Sequence, residues 1–298
     1  MKPMEKRGIC VCNAYEILPG ARHFYERMKT ELSLLGIPLD LKTNAEIFSY
    51  IDSDGKLTGE KLQADFILYL DKDLYASYGL EKRGYRLFNQ AKPIELCDDK
   101  MRTHMALAGH GIKMPKTISG PLNYSLNSSK EFVEGVEKEL PYPIVAKENF
   151  GSLGARVYLL NHHEDLVHFE DSHRFAPRLY QEFIASSKGM DYRIIVVGGK
   201  FVAGMKRVNE HGDFRSNVAL GGTGLSVKIP AEFISIAEKA ASILGLDYCG
   251  ADILIGPKGE PILCEVNSNA FIEGIEKVTG VNVAAAYANY IKNTIDHR

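Results

Sequence analysis

The segment from Cys249 to Asn269 is two apolar runs, C-G-A-D-I-L-I and P-I-L-C-E-V-N-S-N, joined by the turn signal G-P-K-G. That pattern commits the segment to a β-hairpin. Polar residues interrupt both strands: Asp252 the first, Glu265 and Asn267 the second. With Gly256–Gly259 as the turn, Ile255 is expected to pair with Glu260, and Asp252 with Leu263. Side chains alternate along a strand, so Asp252 then shares a face with Leu263, Glu265 and Asn267. Two carboxylates and an amide oxygen converge there. Such hard oxygen donors suit Mg²⁺, or Mn²⁺ in its place, held jointly by protein and nucleotide phosphates. The competing reading is a charged solvent face, and a one-residue slip would turn Asp252 away.

Composition narrows the classes of function. A chain of 298 residues makes one large or two to three small domains, and 45% hydrophobic with 25% charged residues is ordinary for a globular protein. A formal net charge of −2 argues against nucleic acid or anionic membrane as a partner. The start M-K-P-M-E-K-R-G is charged, and the apolar run after it is broken by Asn13 and Glu16, which makes a poor signal peptide. No apolar run reaches the roughly 18 residues of a membrane span. Five cysteines, an odd number mostly in strand-like runs, fit buried thiols of a reducing cytoplasm. A cytoplasmic protein is expected. A homo-oligomer is compatible with this chain and not specified by it.

Strands at residues 8–15, Pro38–Lys42 and Asp65–Leu70, with a helix through Phe24, Met28, Leu32 and Leu35, predict a small parallel α/β domain. L-E-K-R-G-Y-R-L-F-N-Q reads as a helix stopped at Gly84, and I-E-L-C as a short strand. Asp98 is a candidate N-cap for a helix over Asp99–Ala108. A Ser/Asn/Pro-rich loop spans Gly120–Lys130, followed by a helix to Leu140 and a strand P-I-V-A-K. R-I-I-V-V-G-G-K-F-V-A-G-M is a hairpin turning at Gly198-Gly199, and Ala231–Leu244 a helix between Pro230 and Gly245.

Several segments hold candidate chemistry. Lys147 ends a strand just before N-F-G-S-L-G-A-R, whose Gly151 and Ser152 form a loop able to approach phosphate; an ordinary hairpin loop is the alternative. Gln181-Glu182-Phe183-Ile184 is either a plain amphipathic strand or a hinge reading an adenine edge. Asp191 and Arg193 follow shortly, each readable alone as a surface charge. Arg207 and Arg215, with Asn217 alongside, flank or occupy a long loop where guanidinium groups suit anionic oxygens; a flexible surface loop is the alternative. The histidines 162, 163, 168 and 173 have no metal-ligand spacing and read as a solvated segment.

The order of these blocks carries a resemblance. C-D-D-K-M-R-T-H-M-A-L-A-G-H-G-I-K-M-P-K-T, P-I-V-A-K-E-N-F-G-S-L-G, Q-E-F-I, G-M-D-Y-R-I-I-V-V-G, G-D-F-R-S-N-V, G-A-D-I-L and E-V-N-S-N, then E-G-I-E-K-V-T-G-V-N-V-A, cover about two thirds of the chain. Together they resemble the ATP-grasp superfamily, and within it the glutamate-adding ligase branch typified by RimK. The resemblance implies an ATP-grasp fold: a parallel α/β domain (1–97), then two α+β lobes (98–180 and 181–298) clasping ATP. It implies that Lys100 and Lys147 contact ATP phosphates, with Gly151 and Ser152 in the adjoining loop. Glu182, Phe183 and Ile184 match the adenine hinge, and Asp191 a ribose-side acid. Arg215, Ser216 and Asn217 match a loop facing phosphates and substrate. Asp252, Glu265 and Asn267 match the Mg²⁺ ligands.

The implied activity is ATP-dependent ligation of a carboxylic acid or peptide acceptor to an amino acid or other amine through an acylphosphate. Arg215, with Arg207, would stabilise that intermediate. A phosphotransferase acting on a hydroxyl and a non-catalytic nucleotide-binding regulator are the rival classes. One departure bears on the substrate. Where the branch continues E-V-N with A-S-P-G-L-E-G, this chain has S-N-A-F-I-E-G.

Overall fold

The computed structural model describes residues 6–127, 129–152, 154–216 and 221–297. The first layer is a four-stranded sheet of order β2-β1-β5-β6, parallel throughout. It is built from β1 (Gly8–Cys12), α1 (Pro19–Leu34), β2 (Leu39–Thr43), a small hairpin of β3 (Tyr50–Ile51) and β4 (Leu57–Thr58), β5 (Phe66–Tyr69), α2 (Leu74–Lys82) and β6 (Leu87–Phe88). Two expectations are corrected here. The helix expected to stop at Gly84 ends at Lys82, and the residues after it, for which no strand was expected, re-enter the sheet as β6. The I-E-L-C segment is not a strand but part of α3 (Ala91–Asp98). Ala91, Ile94 and Cys97 are buried at helical spacing, and a short apolar run fits either period until its neighbours decide. Asp98 closes α3, so the N-cap role passes to Asp99, whose carboxylate accepts the Met101 and Arg102 amides of α4 (Lys100–Leu107).

The second layer is a sheet of order β7-β10-β8-β9, antiparallel in every pair. Its members are β7 (Thr117–Ser119), α5 (Lys130–Glu139), β8 (Ile144–Glu148), β9 (Val157–Leu160), α6 (His163–Ser172) and β10 (Arg178–Glu182). Val133, Val136, Leu140, Ile144, Leu166, Phe169 and Tyr180 form its own apolar cluster.

The third layer is a five-stranded antiparallel sheet, β13-β12-β11-β14-β15. It comprises β11 (Met190–Val197), β12 (Lys200–Val208), β13 (Thr223–Leu225), α7 (Ala231–Leu244), β14 (Tyr248–Ile255) and β15 (Pro261–Asn267), closed by α8 (Glu273–Thr279) and α9 (Val283–Asp296). The expected turn at Gly198-Gly199 is present; both glycines have positive φ, +56° and +75°, as a two-residue hairpin loop requires. Helix α7 has its expected bounds, and Gly245 ends it in the left-handed conformation. On one face of this sheet, α7 and Leu107 of α4 pack over Ile194, Val196, Ala251, Ile253, Leu263 and Val266. Part of the other face belongs to a cluster shared with the first layer, in which Phe24 and Met28 of α1 meet Tyr248, Tyr287 and Ile291.

One buried ion pair anchors the second layer. Arg178 is 2% exposed and donates Nε and Nη2 to Glu170 at 2.6 Å each, while the Tyr180 hydroxyl donates to the same carboxylate. Removing one partner strands the other's charge in the interior. Glu170→Ala is therefore expected to destabilise the protein by about 3–5 kcal/mol, read from urea denaturation. A loss below ~1 kcal/mol would show that water reaches Arg178.

Candidate active site

The hairpin of β14 and β15 forms, with a register that differs from the expected one. Ile255 pairs with Pro261 rather than Glu260, and Asp252 pairs with Glu265 rather than Leu263. Two irregularities produce this. The Gly256 amide bonds to the Glu260 carbonyl at 2.7 Å, so the loop is one residue longer than assumed. An extra residue, Cys264, then enters β15 between Leu263, opposite Ile253, and Glu265, opposite Asp252. Each shift alone reverses the faces; together they restore them. Leu263 and Val266, three apart, both face the α7 core. Cys264 and Glu265, consecutive, both face the other way: Cys264 Sγ lies 3.6 Å from Lys147 Nζ, and Glu265 Oε1 lies 3.8 Å from Lys100 Nζ. Asn267, two residues on, returns to the face of Glu265.

Both lysines come from outside this sheet. Lys147 is 7% exposed near the end of β8. Lys100, 8% exposed at the first turn of α4, donates to the Gly151 carbonyl at 2.9 Å and reaches the Asn149 carbonyl at 3.4 Å. Burial, and then Lys147 and Lys72, push its ammonium down, against the pull of Glu265. Gly151 has φ +148°, a conformation that favours glycine, and a Cβ there would press on Arg156 at 3.2 Å. Ser152 Oγ accepts from Lys72 at 3.1 Å. Asn149 Oδ1 is buried with no hydrogen-bond partner among the described residues, which is unusual in an interior and a pointer to a ligand.

The centre of the sheet holds four alternating charges. Asp252, 4% exposed, receives Arg193 through Nε on Oδ1 and Nη2 on Oδ2 at 2.7 Å. Arg207 Nη2 sits 2.9 Å from Asp252 Oδ1, and Arg207 also forks onto Asp191, with Nε to Oδ1 at 2.7 Å. Burial alone would raise the Asp252 carboxyl, but Arg193 and Arg207 hold it below the usual carboxylate range. Burial likewise disfavours the Arg207 cation, and Asp191 with Asp252 outweighs it, leaving the group firmly charged. Asp191 and Arg207 thus stand in a buried ion pair rather than open to a ligand.

The remaining predicted residues surround this centre. Glu182 accepts from the Lys116 amide at 2.8 Å, Phe183 meets Phe214 edge-on at 6.4 Å, and Ile184 leads into the crossing from β10 to β11. Arg215 forks onto Asp213 (3.0 and 2.8 Å) and reaches the Gly154 carbonyl of the glycine loop at 2.7 Å. Ser216 is buried; Asn217 lies outside the described residues. His162 and His163 are exposed, as expected of a solvated segment, whereas His173 stacks on Phe169.

The donor set fits Mg²⁺. Asp252 accepts three hydrogen bonds, and a carboxylate offers about four lone-pair positions. Glu265 keeps 27% of its side chain exposed, and Asn267 adds a neutral oxygen on the same face. Among the described residues no group of three or more His, Cys, Asp or Glu is placed to hold a metal ion. Sequence reading did not assign Arg193, although it sits two residues from Asp191 on one strand, hence on the same face. His104 was also missed: its Nε2 meets Gln181 Nε2 at 2.9 Å, and burial, then Lys147, push it down to about 4.

An antiparallel sheet carrying buried carboxylates, faced by Lys147 from β8 and Lys100 from α4, is the arrangement of an ATP-grasp protein. Residues 97–291 match the RimK-like ATP-grasp domain, and the chain belongs to that family. It is 32% identical over 233 residues to N-acetylaspartylglutamate synthase A of Homo sapiens, covering 76% of this chain and 58% of that protein. It is 36% identical over 214 residues to "Probable alpha-L-glutamate ligase" of Maridesulfovibrio salexigens, covering 71% of this chain and 69% of that protein. The ATP-grasp ligase PsnB, solved with a minimal precursor, Mg and ADP, superposes with a TM-score of 0.69 at 15% identity, over 97% of this chain and 98% of PsnB. The chain spans a little over half the length of the human relative.

Two outcomes are expected. Lys147→Met keeps the stem and removes the charge, and should weaken ATP binding by about 1.5–3 kcal/mol, measured by calorimetry; replacing the histidines at 162, 163, 168 and 173 together should leave metal dependence unaltered. The second concerns pH. His104 titrates near 4 folded against 6.5 when unperturbed, so the unfolded chain binds more protons between those values. Its contribution to stability is therefore complete above pH 6.5 and lost as pH falls toward 4. Denaturation of His104→Gln across that window should show a shallower pH slope than the parent chain.

Proposed function

We propose that this chain is an ATP-dependent carboxylate–amine ligase that adds a glutamate-like amino acid to a small acid, peptide or protein tail through an acylphosphate. The observation that carries the reading is the approach of Lys100 to Glu265, 3.8 Å, and of Lys147 to Cys264, 3.6 Å, which sets two phosphate-binding cations against the oxygen-ligand face. Family membership and the activities named for the relatives support it. Asp252, Glu265 and Asn267 would hold Mg²⁺, which when bound neutralises phosphate charge during transfer.

In this reading Lys100 and Lys147 grip the nucleotide phosphates, with Gly151 and Ser152 lining their approach, and the hinge at Glu182, Phe183 and Ile184 receives the base. Arg215 leaves Asp213 to hold the transferred phosphoryl group and then the tetrahedral intermediate. The donors of Arg207 are taken by Asp191 and Asp252, so it acts by fixing those carboxylates. The amine attacks as the free base. No enzyme nucleophile is required. The reacting acid would lie beside the carboxyl ends of the first sheet, where such folds commonly bind ligands. There Asn269, in the segment that departs from the branch, donates to the Asp71 carbonyl at 2.9 Å, and Asn13 and Asn44 donate to the Asp71 carboxylate.

The segments 1–97, 98–180 and 181–298 would act as base, lid and metal-bearing lobe. Among the described residues no helix is long and apolar enough to cross a membrane, and the cysteines are unpaired, which supports a reducing cytoplasm as the setting.

The products should be ADP, phosphate and an amide, and hydroxylamine should trap the activated acid as a hydroxamate. Arg215→Lys keeps the charge but loses the planar fork, so turnover should fall more than ATP affinity. AMP and pyrophosphate among the products would overturn the acylphosphate route. Phosphate transfer to a hydroxyl without an amine would place the chain among kinases.

A further inference from the structure

The arginine that sequence reading left unassigned has a position that demands an account. Arg193 lies across Gly250, where a Cβ would meet Ala270 Cβ at 2.5 Å and then Arg193 Cδ and Nη1 at 3.2 Å. Glycine at 250 therefore leaves space for Ala270 and also for a guanidinium brought from the neighbouring strand, aimed at the carboxylate proposed to bind metal. Around that carboxylate Lys100, Lys147, Arg193 and Arg207 supply four positive charges, against three negative ones from Asp191, Asp252 and Glu265. The flanking Lys72–Asp98 and Arg215–Asp213 pairs are neutral as pairs. The site thus carries an excess of one positive charge before any nucleotide arrives. Asp252 is 4% exposed, where charges are weakly screened, so an approaching divalent cation meets net repulsion. A polyanionic nucleotide reverses the sign.

We propose that Arg193 is a positioning residue that keeps the oxygen-ligand site closed to divalent cations until nucleotide phosphates enter. The proposal rests on Asp252 being a metal ligand. Arg193 suits the role better than Arg207, whose charge is already balanced by Asp191. Arg193 has Asp252 as its sole salt-bridge partner among the described residues.

The test is direct binding of Mn²⁺, followed by its paramagnetic resonance signal, to the full chain with and without ADP. The parent chain should bind Mn²⁺ weakly alone and much more tightly with ADP. Arg193→Gln should bind Mn²⁺ without nucleotide on the order of tenfold or more tighter than the parent. Arg193→Lys, which keeps the charge, should resemble the parent. Asp252→Asn added to Arg193→Gln should abolish the gain. Tight Mn²⁺ binding by the parent chain without ADP would overturn the proposal, and that measurement needs no variant to fold. Equal affinities in the parent and Arg193→Gln would also overturn it, leaving the metal reading intact if Asp252→Asn still weakens ADP-supported binding. If Asp252→Asn changes neither, the metal reading fails and the inference falls with it.

Discussion

A carboxylate buried inside a β-sheet is tolerable only when its charge is answered nearby, and Asp252 imposes that condition on the third layer. Its two guanidinium partners come from β11 and β12, so the strand order β12-β11-β14-β15 is also the order in which charge is balanced. Arg193 pairs in register with Asp252, and Asp191 with Arg207. A slip between β12 and β11, or between β11 and β14, would leave a buried ion unpaired, which makes the ion network a check on register as well as a part of the site. The glycine at 250 belongs in part to the same requirement, since a side chain there would collide with Ala270 and press on Arg193.

The way the chain closes on itself explains how such a site is held. The first and last helices share one apolar cluster, with Phe24 against Tyr287 at 6.3 Å and Tyr287 stacked on Tyr248 at 4.9 Å. Asn89 adds a polar clasp. Its side-chain amide donates to the Tyr248 and Ser268 carbonyls, and its oxygen accepts the Asp247 and Tyr248 amides. The hairpin of β14 and β15 is therefore braced from the first layer at the start of one strand and the end of the other. The second layer has its own apolar cluster and meets this body largely through polar groups around Lys100 and Arg215.

What was legible in the sequence was whatever local chemistry decides. The Gly-Gly turn at 198 and the helix 231–244 follow from positive φ, capping and periodicity, and both appear as expected. The polar residues of the hairpin advertised themselves by interrupting apolar runs. Where spatial neighbours decide, the reading missed. Residues 91–98 pack as a helix because the surrounding core accepts that period, and Leu87–Phe88 form a strand because β5 offers an edge. The bulge at Cys264 leaves no mark in composition. Arg193 looked like a surface charge because its partner lies 59 positions away.

The bulge has a further meaning for how such a protein can change. In a regular strand each residue that faces a site alternates with one that holds the core, so the wall of a pocket is limited to every second position. Two consecutive positions of β15 face the lysines, and Cys264 stands outside the apolar cluster that Leu263 and Val266 join. Its side chain is answerable to the pocket and not to the core. Position 264 is where the shape and polarity of the pocket wall can be altered at little cost to folding, a degree of freedom that an unbroken ladder would not provide.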